Sequence, residues 1–264
     1  MRRYNLIQPL WMAFYSGEVY VDVVQSWRSR IFVYLLVLLA INWIPRSLEI
    51  SSSVNTWITS EAPYLIQQMP PITLNNGKAS IPNEGVVYVK DRADSLFLII
   101  DMTGEYTSLD NTTAKALLTE TELHLRNGPG LEDVQTQGIP ANESTTLTQE
   151  TLLSLATVVN FLIGYGFYPF VIAGSYVLHL AQAFIFASIV SQLTIKTKNA
   201  LSRRKLVDLT IIAFTPATML DTAHDFLGTP FDLWLWWPIC VFLTLGYLFF
   251  AIQEVMGVEE EEVR

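Results

Sequence analysis

Long stretches without a charged side chain constrain the fold of this chain more than any other feature. Residues 31–45, IFVYLLVLLAINWIP, carry no charge and follow Arg28 and Arg30. With their neighbours they reach about 20 residues, the length at which a helix crosses a bilayer core of about 30 Å. A secretory signal would place its apolar run nearer the N-terminus and end it in small residues. We therefore predict an uncleaved first transmembrane helix over residues 31–46.

A second apolar block covers residues 152–195, where 44 positions lack Asp, Glu, Lys and Arg. One helix of that length measures about 66 Å, which is enough for two crossings. The sequence GYGFYPF at positions 164–170 offers a break inside the block. We predict an interfacial or re-entrant helix over 152–165 and one span over about 167–195, and two crossings are the alternative.

The basic residues predict the orientation. Five of the ten residues in 196–205, KTKNALSRRK, are basic, and short basic loops stay on the cytoplasmic side. The N-terminus is basic too, so an even number of spans separates the two. Further spans are predicted over about 206–224, which Asp208, Pro216 and Asp221 interrupt, and over 233–252, where three tryptophans resemble an interfacial belt. The membrane domain is thus 151–254, and 255–264 form an acidic cytoplasmic tail.

The segment between the first two apolar blocks, residues 47–150, contains fourteen acidic residues and five basic ones. Given the orientation above, it lies on the extracytoplasmic side. The apolar runs GVVYVK and SLFLII, and the two halves of ALLTETELHLR, are typical of strands. Asn-Gly in ITLNNGKASI indicates a hairpin turn. The predicted fold is a multi-span α-helical membrane protein, with about four transmembrane helices and a small extracytoplasmic antiparallel β domain whose core covers about 70–126.

The first 30 residues predict two short amphipathic helices on the cytoplasmic side. Apolar residues recur at helical spacing in two groups: Ile7, Leu10, Trp11 and Phe14, then Tyr20, Val23, Val24 and Trp27. These stripes either lie at the depth of the lipid headgroups or pack against the spans of the protein itself. The sequence alone leaves both alternatives open.

Asp101 follows an apolar run in FLIIDMTGEYT, an outline similar to the phosphorylated loop of P-type ATPases and haloacid-dehalogenase-like enzymes. Met102 and Glu105 replace the Lys and the second Thr of that loop, and the flanking sequence predicts hairpins in place of a doubly wound α/β domain. We therefore interpret Asp101 as the end of a strand. Its carboxylate would accept hydrogen bonds from nearby backbone N–H groups in an Asx-type turn, with Gly104 at positive φ.

Few ionisable side chains fall within the apolar segments. Asp221, His224 and Asp225 have the i, i+3, i+4 spacing of one helix face and could bind a metal or relay protons, but no fourth ligand is evident. His179 lies inside the second block, where ionisable groups suggest function. Structural roles are favoured for all four residues. The lone cysteine, Cys240, excludes an internal disulfide and is interpreted as a small buried apolar residue.

The whole chain resembles the bacterial integral-membrane proteins catalogued as domain of unknown function 1189. The resemblance depends on FYSGEVYVDVVQSW, an anchor ending in NWIP, then PPITLNNGKASI, LIIDMTG and KALLTETELHLR in that order. The family is similar to the Yip1-like group of multi-pass proteins. The resemblance implies membrane architecture and a bacterial cytoplasmic (inner) membrane, and it implies no reaction, cofactor or catalytic residue.

The functional prediction follows from this pattern. A net charge of -9 argues against nucleic acid as a partner, because phosphate binding requires clustered Lys and Arg. The motifs GxxxxGK[ST], HExxH and GxSxG do not occur in the sequence. We predict a non-enzymatic accessory subunit or scaffold in the lipid bilayer, with a membrane-protein partner or a second copy of itself and without a cofactor or metal. The alternative is a transporter or lipid-interacting protein that uses polar residues of the spans, and a membrane metalloenzyme comes third.

Overall fold

The computed structural model of the chain divides into two compact units, each with its own hydrophobic core. We name residues 1–50 and 165–264 the helical unit and residues 51–164 the β unit. The structure describes residues 3–83, 85–110, 112–126, 134–141, 144–194, 201–228 and 232–263.

Helices dominate the described part of the chain. The α-helices are α1 (Pro9–Met12), α2 (Gly17–Asp22), α3 (Arg30–Gln67), α4 (Gln149–Phe161), α5 (Phe167–Thr194), α6 (Arg203–Phe226) and α7 (Leu233–Val263). π-helical turns follow α2 (Val23–Trp27) and α4 (Leu162–Gly166). Four stretches are long and apolar enough to cross a membrane, namely Arg30–Gln67, Gln149–Gln192, Arg203–Phe226 and Trp234–Val258. The predicted set of four apolar helices is confirmed.

Two apolar helices extend further than the sequence indicated. α3 continues through Pro45 to Gln67, so the predicted first span is the N-terminal part of a much longer helix. A proline inside a helix removes one N–H donor, but the turns on both sides keep their own bonds. The predicted break at 164–170 does not interrupt the helix, because Gly164 and Gly166 lie in a π-helical turn within Gln149–Gln192, which is helical throughout. α4 covers most of the predicted interfacial helix.

α6 is the most buried of the four apolar helices, although its sequence was the least apolar. Its polar side chains find partners inside the helical unit. Thr210 Oγ1 donates to the carbonyl oxygen of Leu206 at 2.7 Å, and the hydroxyl groups of Thr215 and Tyr34 are 2.6 Å apart. A helix with such groups is better accommodated among other helices than among lipid chains, since lipid offers no hydrogen-bond partner. This explains why the polar helix occupies the centre.

The structure shows where the second of the two amphipathic stripes packs. Tyr20, Val23 and Trp27 are buried in the core of the helical unit. The Tyr20 ring meets Phe250 edge-on at 5.7 Å, so the second stripe packs against the protein's own helices. In the first stripe, by contrast, Ile7, Trp11 and Phe14 are exposed.

Asp22 holds this segment together. Its carboxylate accepts hydrogen bonds from the backbone N–H groups of Arg3 (3.0 Å) and Tyr4 (3.3 Å), from Ser26 Oγ (2.9 Å) and from Trp27 Nε1 (2.9 Å). Burial by itself raises the pKa of Asp22, but these donors outweigh it and the net pKa lies below the usual range. Asp22, one of the two acidic residues within FYSGEVYVDVVQSW, is therefore a structural acceptor.

The β unit contains two sheets. Its strands are β1 (Ile72–Asn75), β2 (Lys78–Ser80), β3 (Val86–Lys90), β4 (Leu96–Asp101), β5 (Ala116–Leu118), β6 (Glu122–Arg126), β7 (Val134–Gly138) and β8 (Ser144–Leu147). The order is β2-β1-β8 in the smaller sheet and β3-β4-β5-β6-β7 in the larger. The predicted hairpin between β1 and β2 is confirmed, with Asn76 at φ 50° and Gly77 at φ 81° in its turn. Both residues take the left-handed conformation that a two-residue hairpin turn requires.

Two features of the β unit differ from the sequence-based prediction. β4 and β5 pair in parallel, with Ile99 opposite Leu117, so the larger sheet is mixed and not purely antiparallel. The strands also continue beyond residue 126, where β7 (VQTQG) and β8 (STTL) complete the two sheets. Both are polar and lack the alternating apolar pattern by which strands are recognised, because each lies at the edge of its sheet.

Candidate functional site

A cavity of about 220 Å³ lies among the four longest segments of the helical unit. Each helix contributes residues at helical spacing, so that one stripe of each helix faces the same space. The stripes are Asn42, Trp43 and Arg46 on α3; Ser175, His179, Gln182 and Phe186 on α5; Phe214, Ala217, Thr218 and Asp221 on α6; and Trp237, Cys240, Val241 and Thr244 on α7. A cavity with several polar side chains in a mostly apolar lining therefore lies between these helices.

His179 presents a hydrogen-bond acceptor in this cavity. Its Nδ1 is 2.8 Å from the carbonyl oxygen of Ser175, one turn earlier on α5. A carbonyl can only accept, so Nδ1 carries the proton of this bond and Nε2 carries the lone pair in the neutral imidazole. The ring lies edge-on to Phe214 at a centroid distance of 5.3 Å, which fixes its orientation.

Asp221 is the acidic side chain of the cavity wall. Its Oδ1 accepts a hydrogen bond of 2.9 Å from Trp236 Nε1. The Trp236 indole in turn stacks on the His224 imidazole, with 4.2 Å between centroids and 12° between the ring planes. The carboxylate is thus positioned by a rigid aromatic pair, and no cation neutralises it among the described residues.

Arg46 lies at the same end of the helices and is paired with Asp225. The side chain of Asp225 is only 7% exposed, whereas that of Arg46 is 39% exposed. The guanidinium also lies over the Trp43 ring, 5.5 Å from its centroid. Next to this pair, Thr222 Oγ1 donates to Asn42 Oδ1 at 2.6 Å. These contacts fix α3 against α6.

The structure separates the four ionisable residues predicted from the sequence. His179 and Asp221 line the cavity, Asp225 forms the ion pair with Arg46, and His224 stacks on Trp236. They do not form one cluster, and the described part of the chain contains no group of three or more His, Cys, Asp or Glu side chains placed to hold a metal. The metal-site hypothesis therefore gains no support from this geometry.

Sequence reasoning missed several polar residues of the cavity. Asn42, Arg46, Gln182, Thr218 and Thr244 line it but were not singled out. One signal was visible: a serine, a histidine and a glutamine occur at i, i+4 and i+7 within an otherwise apolar block of the sequence. Polar residues at that spacing within an apolar helix indicate a common polar face.

Asp101 has the structural role inferred from the sequence. Its Oδ1 accepts from the backbone N–H of Thr103 (2.7 Å), Thr103 Oγ1 (2.7 Å) and the N–H of Gly104 (3.2 Å), and its Oδ2 accepts from the N–H of Tyr106 (2.6 Å). Gly104 has φ 82°. Burial alone would raise the pKa of Asp101, but the four donors outweigh it and hold the pKa below its usual range. The predicted Asx-type turn is confirmed.

A second cavity, of about 280 Å³, lies beside this turn in the β unit. Most of its ionisable side chains have partners, although His124 Nε2 is buried without a hydrogen bond among the described residues. Lys78 Nζ is 2.8 Å from Glu120 Oε1, and His124 Nδ1 is 2.9 Å from Thr136 Oγ1. His124 Nε2 is 3.5 Å from Glu122 Oε2. The cavity of the helical unit is the stronger candidate, because its carboxylate has no such cationic partner.

Comparison with known proteins identifies a family. The model of the family described as "Protein of unknown function (DUF1189)" matches residues 7–252, which is nearly the whole chain. No curated protein and no solved structure matches the chain. Fold and family therefore leave the activity open, and the cavity geometry is the basis on which a function can be argued.

Proposed function

We propose that this chain, which belongs to the family of proteins of unknown function DUF1189, is a non-enzymatic integral membrane protein that binds a small polar ligand or lipid headgroup. The observation that carries this proposal is one cavity to which each of four apolar helices contributes at least one polar side chain. Polar side chains cost free energy inside an apolar bundle, and ionisable ones such as His179 and Asp221 suggest function there. Cavities at helix junctions are also the usual position of ligand sites.

The polar side chains of the lining support a ligand over a packing defect. Dry cavities that arise from imperfect packing are lined by apolar side chains. The lining here alternates hydroxyl, amide and charged groups with aromatic rings, as expected for a site that recognises a polar molecule.

The proposed membrane arrangement has four spans, with both termini in the cytoplasm of a bacterium and residues 47–150 outside the inner membrane. In this proposal the architecture is similar to that of the Yip1-like group. The support for this arrangement is the set of four apolar helices and the basic residues of 196–205. Reporter fusions made after Gly77 and after Asn199 are expected to report opposite sides of the membrane. Signals from the same side would overturn this arrangement.

Filling the cavity should abolish binding. Ala217 lines it and is 6% exposed, so Ala217→Phe places a ring in the space that the ligand would take. Native mass spectra of the full chain released from mild detergent are expected to show a bound small molecule or lipid, with about tenfold lower occupancy in the variant. The matched control is Ala223→Phe on the exposed side of α6. Equal occupancy in both variants would contradict the proposal.

A second candidate function is an accessory subunit or scaffold, and one observation on the β unit favours it. Tyr88, 45% exposed, meets Tyr106 edge-on at 6.3 Å, on a segment with a large acidic excess. Exposed tyrosines are enriched at protein interfaces, and the acidic surroundings suit a basic partner. The same native mass spectra test the scaffold proposal. A stoichiometric partner protein, or a second copy of the chain, should appear in them, and Tyr88→Ala should abolish this association.

A further inference from the structure

We propose that the cavity of the helical unit recognises an ammonium group, held by the Asp221 carboxylate and the Nε2 atom of His179. The inference rests on the proposed ligand-binding function and adds the chemical class of the ligand. It is argued from the charges that line the cavity, from the proton on His179 and from the aromatic side chains of the wall.

Together with Asp225, which lies outside the lining, the charged side chains Arg46 and Asp221 leave one net negative charge. Arg46 lines the cavity, but its guanidinium is already paired with Asp225 and lies over the Trp43 ring. Asp221 receives only a neutral indole N–H from Trp236 within the described part of the chain. Asp221 is partly exposed and lines an open cavity, and no side chain of the described part forms an ion pair with it. A positively charged group that enters the cavity would therefore find a carboxylate without a counter-ion.

His179 adds an acceptor to this site. The Nδ1–H of its ring is used by the Ser175 carbonyl, so the neutral ring offers the lone pair of Nε2 to a donor. An ammonium group has several N–H donors and no acceptor, which matches a carboxylate and an imidazole lone pair from two helices that line the same cavity. A phosphate or carboxylate ligand would instead meet Asp221 as a like charge.

The aromatic side chains suit the same ligand. Trp237, Phe214 and Phe186 belong to the lining, in addition to Trp43. Aromatic faces attract cations through their quadrupole, and aromatic side chains beside a carboxylate are a recurrent way to bind organic ammonium groups. Such a group occurs both on free amines and on the headgroup of phosphatidylethanolamine, so the experiment has to distinguish these two sources.

The chain carries its own probe of the cavity. Cys240 is the single cysteine and lines the same space. Methanethiosulfonates of similar size differ in charge: the aminoethyl reagent is cationic and the sulfonatoethyl reagent is anionic. Both react with the same thiolate of Cys240. The rate of each reagent is divided by its rate with a free thiol in solution, and the ratio of the cationic to the anionic value reports the charge preference of the cavity. The full chain in detergent micelles is used, with Cys240→Ser as the blank.

We expect the cationic reagent to be favoured at least about tenfold. Asp221→Asn keeps an oxygen for the Trp236 hydrogen bond and should bring the ratio close to one. Asp208→Asn removes a carboxylate from the same helix, outside the cavity, and should leave the ratio unchanged. A ratio near one in the unaltered chain, a preference for the anionic reagent, or an equal effect of both variants would overturn the inference.

Protection of Cys240 separates the sources of the ligand and the two proposals. Butylammonium should slow its reaction with neutral methyl methanethiosulfonate, whereas butanol should not. If Cys240 is protected in phosphatidylethanolamine nanodiscs but not in phosphatidylglycerol nanodiscs, without added amine, the ammonium group belongs to a lipid headgroup. If only butylammonium protects Cys240, the ammonium group belongs to a free amine. If butyl phosphate protects and butylammonium does not, the ammonium inference fails while ligand binding stands. If no probe or lipid protects and Ala217→Phe changes no bound species, both fail.

Discussion

Replacing Asp101 with alanine is expected to destabilise the β unit by about 2–4 kcal/mol. The carboxylate is buried and accepts four hydrogen bonds, three of them from the backbone N–H groups of Thr103, Gly104 and Tyr106. Alanine leaves these donors without an acceptor. Hydrogen exchange of the peptide covering residues 102–107, measured by mass spectrometry on the full chain, should therefore become about tenfold faster or more.

The same residue should give the β unit a specific acid sensitivity. The pKa of Asp101 is lower in the folded protein than in the unfolded chain, where it is about 3.9. A lowered pKa means that the stabilisation is fully present above the unfolded value and is lost as the pH falls through the folded value. The protection factor of residues 102–107, which is the intrinsic exchange rate at each pH divided by the observed rate, should thus fall below about pH 4. In Asp101→Asn this fall should be absent.

Asp110 provides the matched control for Asp101. It is exposed and has a single side-chain hydrogen bond, from Ser108 Oγ at 2.7 Å. Asp110→Ala should change the free energy of unfolding by less than about 0.5 kcal/mol. If Asp101→Ala leaves hydrogen exchange as slow as Asp110→Ala does, the carboxylate does not hold the turn, and a chemical role for it has to be reconsidered.

The turns of the β unit were predictable because their causes lie within a few residues. Asn76 and Gly77 both tolerate positive φ, so a hairpin follows from that pair alone. Asp101 and the glycine three residues later define an Asx-type turn in the same local way. The parallel pair of β4 and β5 was not predictable, because the 14 residues between them carry no crossover helix and the pairing depends on contacts distant in sequence.

The cavity was only half predictable, and the reason is physical. An ionisable residue in an apolar block, such as His179 or Asp221, is conspicuous because its cost in lipid is high. Thr218 and Thr244 are not conspicuous, since threonine satisfies its hydroxyl on its own helix, as Thr244 does with the carbonyl oxygen of Cys240 at 2.9 Å. The packing of the helices determines which of these residues face each other. No local pattern in a single sequence shows how the helices pack.

Removing Arg46 is expected to destabilise the helical unit far more than removing its partner. Arg46→Ala leaves the carboxylate of Asp225, only 7% exposed, without a counter-ion, at a cost of about 2–4 kcal/mol. Asp225→Ala leaves a guanidinium that is 39% exposed and can turn outward, at about 1 kcal/mol. Thermal unfolding in mild detergent, followed by tryptophan fluorescence, measures the difference. Arg30→Ala, exposed at the start of the same helix, is the control and should have little effect.

The double variant tests whether the asymmetry comes from the buried charge. Arg46→Ala with Asp225→Ala should be more stable than Arg46→Ala alone, because the second change removes the carboxylate that the first left unpaired. Additive losses, or a larger loss for Asp225→Ala than for Arg46→Ala, would contradict this explanation.

The ion pair also sets the charge of the cavity. Asp225→Asn should release Arg46, so that Cys240 reacts faster with the anionic reagent, relative to the cationic one, than it does in the unaltered chain. Since Arg46 lines the cavity and Asp225 does not, one ion pair both fixes α3 against α6 and leaves Asp221 as the uncompensated charge.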